Sequence, residues 1–152
     1  MNTIEQFLFN SYGSAGELIL RITLAAILLP HGMQKVLGCF GGPGVKGSYA
    51  AFSGMGIPPL LATFAIFTEF LAPFFLLVGF LTRPAAIAIF ILMLVAMTKH
   101  LNNGFFMNWP GNKKGEGFEY HILYAGAALA LIFTGAGSIS IDAWIASALA
   151  GL

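Results

Sequence analysis

Between Pro58 and Leu81 the chain carries one charged residue, Glu69. A helix of that length and apolarity matches the hydrocarbon thickness of a bilayer, which takes about 20 residues. A charge turned toward lipid at the centre of such a helix costs about 2.5–3.5 kcal/mol even on the lenient insertion scale. Glu69 therefore requires a partner, a proton or a chemical task, and the remaining segments must bring polar groups to it inside a bundle.

Three further runs are long enough to join it. We place the four spans at 15–37, 58–81, 84–101 and 118–136. Ser14-Ala15-Gly16-Glu17 reads as a capping box for the first span. Pro58-Pro59 and Thr82-Arg83-Pro84 open the second and third, since proline suits the first helical turn. Glu116 and Glu119 bracket the start of the fourth, where the helix dipole favours carboxylates. Only 9% of the residues are charged and 58% are hydrophobic, with a mean hydropathy of +0.85. Soluble domains average about 25% charged residues, so the expected class is an all-α integral membrane four-helix bundle, one domain over 1–152. Residues 1–16 hold no Lys or Arg, so no cleavable leader is expected.

Spans two and three are joined by almost nothing and must be antiparallel neighbours. The longer loops, 38–57 and 102–117, then emerge on one side and both termini on the other. Short interfacial helices are expected at 2–10, within 38–57 and at 139–149. Lys35, Lys46, Lys99, Lys113 and Lys114 gather on the long-loop side, with Arg83 alone on the other surface. The positive-inside rule puts the long loops in the cytoplasm and the termini outside.

On the first span Arg21, His31 and Lys35 fall within about 80° of one another at helical spacing. That stripe must face the bundle interior. By helical rise from the long-loop side, His31 lies roughly 9 Å deep, Glu69 roughly 16 Å and Arg21 roughly 24 Å. Arg21 is the first candidate partner for Glu69 and His31 the second; Glu17, four residues before Arg21, competes for it. Such a pair either fixes helix packing, as buried pairs often do, or supports chemistry through Glu69 and His31. Pro30 and Pro73 each remove a backbone hydrogen bond, and we expect a bend or a wet pocket beside His31 and a bend near Glu69.

Lys99 and His100 end the third span, and Tyr120, His121 and Tyr124 begin the fourth. With His31 and Lys35 they ring one cavity mouth. Apolar walls with a few His, Lys and Tyr donors suit a flat, polar-headed lipid such as a quinone, whose carbonyls accept hydrogen bonds and whose reduction requires proton donors. The same residue types also anchor membrane interfaces. No metal or haem is expected, because the three histidines lack ligand spacing and differ in depth. A net charge of +1 argues against nucleic acid. Cys39, the one cysteine, excludes an internal thiol pair. "GPGVKG" has no strand before it and is not a nucleotide loop.

Arg21 followed by "HGMQKVLG", then "FTEFLAPFFLLVGFLTRPAA", "TKHLNNGFF" and "GAGSISID", occur in an order that resembles the DoxX/DoxD family of small bacterial membrane proteins over about residues 17–142. The resemblance implies a four-helix bundle in the bacterial inner membrane and a link to quinone-coupled oxidation. Members look like subunits of thiosulfate:quinone oxidoreductase or partners of secreted oxidative-stress enzymes. Arg21, Lys35, Glu69, Arg83, His100 and Asp142 match the family's polar signature by position. The expected function is a quinone-binding membrane subunit of an oxidoreductase system, with Glu69 and His31 as proton-handling groups and Arg21, Lys35, His100, His121, Tyr120 and Tyr124 around the ligand. A partner oxidoreductase subunit or further copies of the chain are the expected associates. The alternatives are a non-enzymatic scaffold for a partner enzyme and a small proton-coupled transporter. A liposome flux assay separates the transporter, and capture of one stoichiometric partner without a redox cofactor separates the scaffold.

Overall fold

Each apolar run ends where the backbone is freed to turn. The computed structural model describes residues 3–9 and 15–151, and all regular structure among them is helical. Helix α1 covers Thr3–Phe9, α2 Ala15–Leu37, α3 Gly44–Gly54, α4 Pro59–Val78, α5 Thr82–His100, α6 Glu119–Thr134 and α7 Ile141–Ala150. Short 3-10 turns follow α2 (Cys39–Gly41) and α5 (Leu101–Asn103). The expected capping box at Ser14 lies outside the described residues.

Helices α2, α4, α5 and α6 form the bundle: α2 packs chiefly on α4, α5 on α6, and α4–α5 and α2–α6 contacts close it. The segments Ala15–Leu37, Pro59–Val78 and Thr82–Asn103 are long and apolar enough to cross a membrane. The fourth rod is the short one. At 16 residues, α6 is about 24 Å long, less than the roughly 30 Å hydrocarbon core. The interfacial segments are helices α1, α3 and α7, with α1 against α7 and α3 against both α2 and α4. Ser48 Oγ donates to the Lys35 carbonyl at 3.1 Å, and the Tyr49 and Thr63 hydroxyls share a hydrogen bond, which pins α3 beside the cavity mouth.

Polarity is inverted relative to a water-soluble fold. The outward stripe of α4 is Phe64, Phe67, Leu71, Phe74 and Val78, all exposed, as expected of a face turned to lipid. Arg21, Thr82, Arg83 and Asp142 are buried.

Two close approaches set the geometry. At Gly32 an added Cβ would lie 2.6 Å from the Glu69 carbonyl carbon and the Phe70 Cα. Pro73 has no N–H to offer the Glu69 carbonyl, four residues back, and that free oxygen faces the bare Cα of Gly32. Gly32→Ala should cost roughly 1–2 kcal/mol, the usual penalty of overpacking, read as a lower thermal midpoint in detergent. The second approach is the α4–α5 turn. Gly79 is left-handed (φ 65°), and a Cβ there would lie 2.9 Å from Arg21 Cζ. Leu81 is also left-handed (φ 48°), rare for a branched side chain. Its N–H donates to Asp142 Oδ1 at 2.8 Å and that of Thr82 to Oδ2 at 2.9 Å, which holds the turn.

The floor of the bundle is organised by helix dipoles. Arg21 Nη1 donates to the carbonyls of Leu76 (2.9 Å) and Leu77 (3.5 Å) at the C-terminus of α4, and Nη2 donates to that of Ile139. Arg83 donates to the carbonyls of Ile132 (2.9 Å) and Phe133 (3.1 Å) near the C-terminus of α6, and to that of Phe7 on α1. Asp142 accepts at the N-terminus of α5. Cations thus sit at C-termini and the anion at an N-terminus, the stabilising arrangement.

Candidate functional site

This placement corrects the expected Arg21–Glu69 pair. Arg21 is fully buried among carbonyls of the floor, and the salt-bridge partner of Glu69 is Lys35. The reason is directional. Helical side chains lean toward the N-terminus of their own helix. On α2 that carries Arg21 toward the floor, away from Glu69, and Lys35 down into the bundle. Because α4 runs the opposite way, Glu69 leans up toward Lys35. Heights compared at Cα positions miss both displacements.

The Lys35–Glu69 pair lies on one wall of a chamber of about 910 Å³. Helices α2 and α4 supply His31, Lys35 and Glu69; α5 supplies Lys99 and His100; α6 supplies Tyr120, His121 and Tyr124. Of the candidate residues only Arg21 lies outside it. Side-chain exposure is 26% for Lys35 and 12% for Glu69, so the pair borders the chamber and is not sealed in packing. The chamber is predominantly apolar, lined by such residues as Leu24, Leu28, Ala65 and Leu92.

The α5–α6 wall holds a histidine couple. The rings of His100 and His121 lie 4.6 Å apart at 33°. His100 Nδ1 is 3.0 Å from the Glu116 carbonyl. Since a carbonyl only accepts, Nδ1–H is the donor, and Nε2 of a neutral ring is left as an acceptor. His121 Nδ1 is buried with no hydrogen-bond partner among the described residues.

Segment 102–118 straps the mouth. The N–H groups of Phe118 and Glu119 donate to the carbonyls of Gly104 and Phe105, and the Asn108 and Met107 N–H groups to the carboxylates of Glu116 (2.7 Å) and Glu119 (3.1 Å). Trp109 packs edge-on against Tyr120, ring centroids 6.1 Å apart. Sequence reasoning assigned Glu116 and Glu119 to the start of α6; here they fold the strap, and Met107 and Glu116 also line the chamber. The chamber's Met55 and Met93 likewise went unnoticed, since methionine in an apolar run carries no polar signal. No group of His, Cys, Asp and Glu with metal-site geometry occurs among the described residues.

Chemically, the chamber offers hydrogen-bond donors and acceptors from all four bundle helices; of its two carboxylates, Glu69 is paired with Lys35 and Glu116 accepts from the strap. The DoxX family model matches residues 16–109. The chain is also similar to the inner membrane protein YphA of Escherichia coli (strain K12), with 32% identity over 146 residues, 93% of this chain and 99% of that protein. No solved structure matches the chain.

Proposed function

The chain belongs to the DoxX family, and from that premise we propose that it is a membrane subunit of a quinone-linked oxidoreductase system, holding a quinone or similar lipid-soluble carrier in the chamber. The observation that carries this reading is the joining of Lys35–Glu69, His31 and the His100–His121 couple by one apolar-walled space. A quinone accepts two electrons and two protons, and a partner oxidoreductase would supply the electrons. Lys35 Nζ on α2 and the Tyr124 hydroxyl on α6 are donors suited to ring carbonyls. Glu69 and His31 hold or pass protons beside them, and the apolar lining keeps bulk water from the ring.

We also place the protein in the bacterial inner membrane, by analogy with the Escherichia coli relative, with the long loops cytoplasmic. Lys46, Lys99, Lys113 and Lys114 are exposed on the long-loop face, whereas Arg83 on the opposite face is buried and no longer counts as a surface charge. This supports the orientation by the positive-inside rule.

Purified protein should bind a soluble ubiquinone analogue in equilibrium dialysis. Glu69→Gln should weaken binding about tenfold, equivalent to about 1.4 kcal/mol, and His31→Ala several-fold, with cooperative melting above the assay temperature certifying the fold. Equal affinity in wild type and both variants would defeat the reading.

A further inference from the structure

We propose that the lower half of the chamber is a tail groove: its ligand carries a long unbranched or isoprenoid apolar chain and passes in from the bilayer between α2 and α6. This rests on the reading that the chamber binds a lipid-soluble carrier, and it specifies which kind.

Charge comes first. The formally charged side chains lining the chamber are Lys35 and Lys99 against Glu69 and Glu116. They balance, so the lining suits a neutral headgroup and offers no excess cation to an anionic substrate such as a sulfur oxyanion.

Polarity then divides the space. The His, Lys, Tyr and Glu side chains all belong to the long-loop half. Below His31 the chamber continues down α2 past Leu28, Ile27, Leu24 and Thr23 to Leu20. Lys35 and Leu20 are about 22 Å apart along the helix. A ring fills only the top of that length. The volume of about 910 Å³ is near the upper end of the ~300–1,000 Å³ of small-molecule pockets, more than a bare headgroup occupies. An apolar channel of this length matches an extended hydrocarbon chain aligned with the lipid tails.

The opening is lateral. Ile27 on α2 and Leu123 on α6 line the chamber, yet they are 40% and 66% exposed. They therefore belong to the inner lining and the outer surface at once. Leu61 on α4 and Val95 on α5 are likewise both lining and exposed, so the packing between helices decides which seam opens. The seam between α2 and α6 is the lightly packed one, since α2 is engaged mainly with α4 and α6 with α5. A tailed molecule can slide in sideways there without its chain leaving apolar surroundings, whereas the strap and α3 cover the aqueous end.

The test compares 2,3-dimethoxy-5-methyl-1,4-benzoquinone with the same ring bearing a decyl chain, on the full chain in nanodiscs. Affinities are corrected for partition using empty nanodiscs. Wild type should prefer the decyl compound at least about tenfold. Thr23→Trp, which places an indole at the exposed edge of the groove, should abolish the preference and leave ring affinity intact. Leu20→Trp at the foot should discriminate against decyl but not ethyl chains. Equal corrected affinities for ring and decyl compound in wild type would overturn the tail groove while leaving quinone binding in place. Equal losses for both probes in the Trp variants, with preserved melting, would overturn it too. Binding of neither probe to wild type would remove the parent reading and this inference with it.

Discussion

Arg21→Leu should lower stability by about 3–5 kcal/mol, the range for deleting one member of a buried charged network, and should do so without any change at Glu69. Leucine is apolar but shorter than arginine, so at a site fully closed to solvent the loss combines the missing hydrogen bonds with the cavity left by the guanidinium. Three carbonyls, those of Leu76, Leu77 and Ile139, would lose their donor. Asp142, also buried, would keep its charge and its bonds to Leu81 and Thr82 while losing the nearby cation. Arg21→Lys should rescue little, because one ammonium lacks the fork that reaches Leu76 on one side and Ile139 on the other. Thermal unfolding in detergent reads the effect. Had Arg21 neutralised Glu69, Glu69→Gln would strand the guanidinium and be comparably damaging; with Lys35 as the partner, it leaves the floor intact and should cost less than Arg21→Leu. A midpoint for Arg21→Leu equal to wild type would refute this account of the floor.

Lys35→Met should be the next most costly change, at about 2–3 kcal/mol. That is below the full penalty for stranding a buried charge, because the pair borders the chamber and retains partial exposure. It leaves the Glu69 carboxylate facing apolar walls. The double variant Lys35→Met/Glu69→Leu should recover most of the stability, since replacing a buried pair by apolar groups of similar size is often neutral or better. Binding should not recover with it. Quinone affinity should fall about tenfold or more in the double variant despite its restored midpoint. That split between stability and affinity distinguishes a working pair from one that merely specifies packing. Recovery of both would assign Lys35–Glu69 to architecture alone.

The bundle was legible because its signals are local. Apolar runs of bilayer length, Pro58-Pro59 and Thr82-Arg83-Pro84 announce the rods before any contact is known, although the spans were drawn too long at 58–81 and 118–136. Gly79 and Leu81 turn left-handed and end α4 at Val78; Gly135 follows Thr134 at the end of α6. The polar stripe of α2 was legible too, and of its members His31 and Lys35 line the chamber. Who pairs with whom was not. It depends on the tilt of side chains along oppositely directed helices, and Arg21 and Lys35 part company for that reason. The reach of Asp142 across to the α4–α5 turn leaves no mark in either segment alone. Glu116 and Glu119 illustrate the same limit: Glu119 does open α6, as its position announced, yet nothing in either residue's neighbourhood announced that both also tie the strap.

Among the described residues the two buried arginines donate to peptide oxygens, and Arg83 also lies over the Phe7 ring, 5.6 Å from its centroid. A peptide oxygen is present whatever amino acid occupies the position, so residues 77, 132, 133 and 139 can change identity without losing the acceptor, whereas Leu76 is also held by the core and Phe7 by its ring contact. Substitutions at the former need no matching change at 21 or 83. The base of this protein is therefore pinned by few identities, the two guanidinium groups, Gly79 and Asp142, while the carbonyl positions around them answer only to packing.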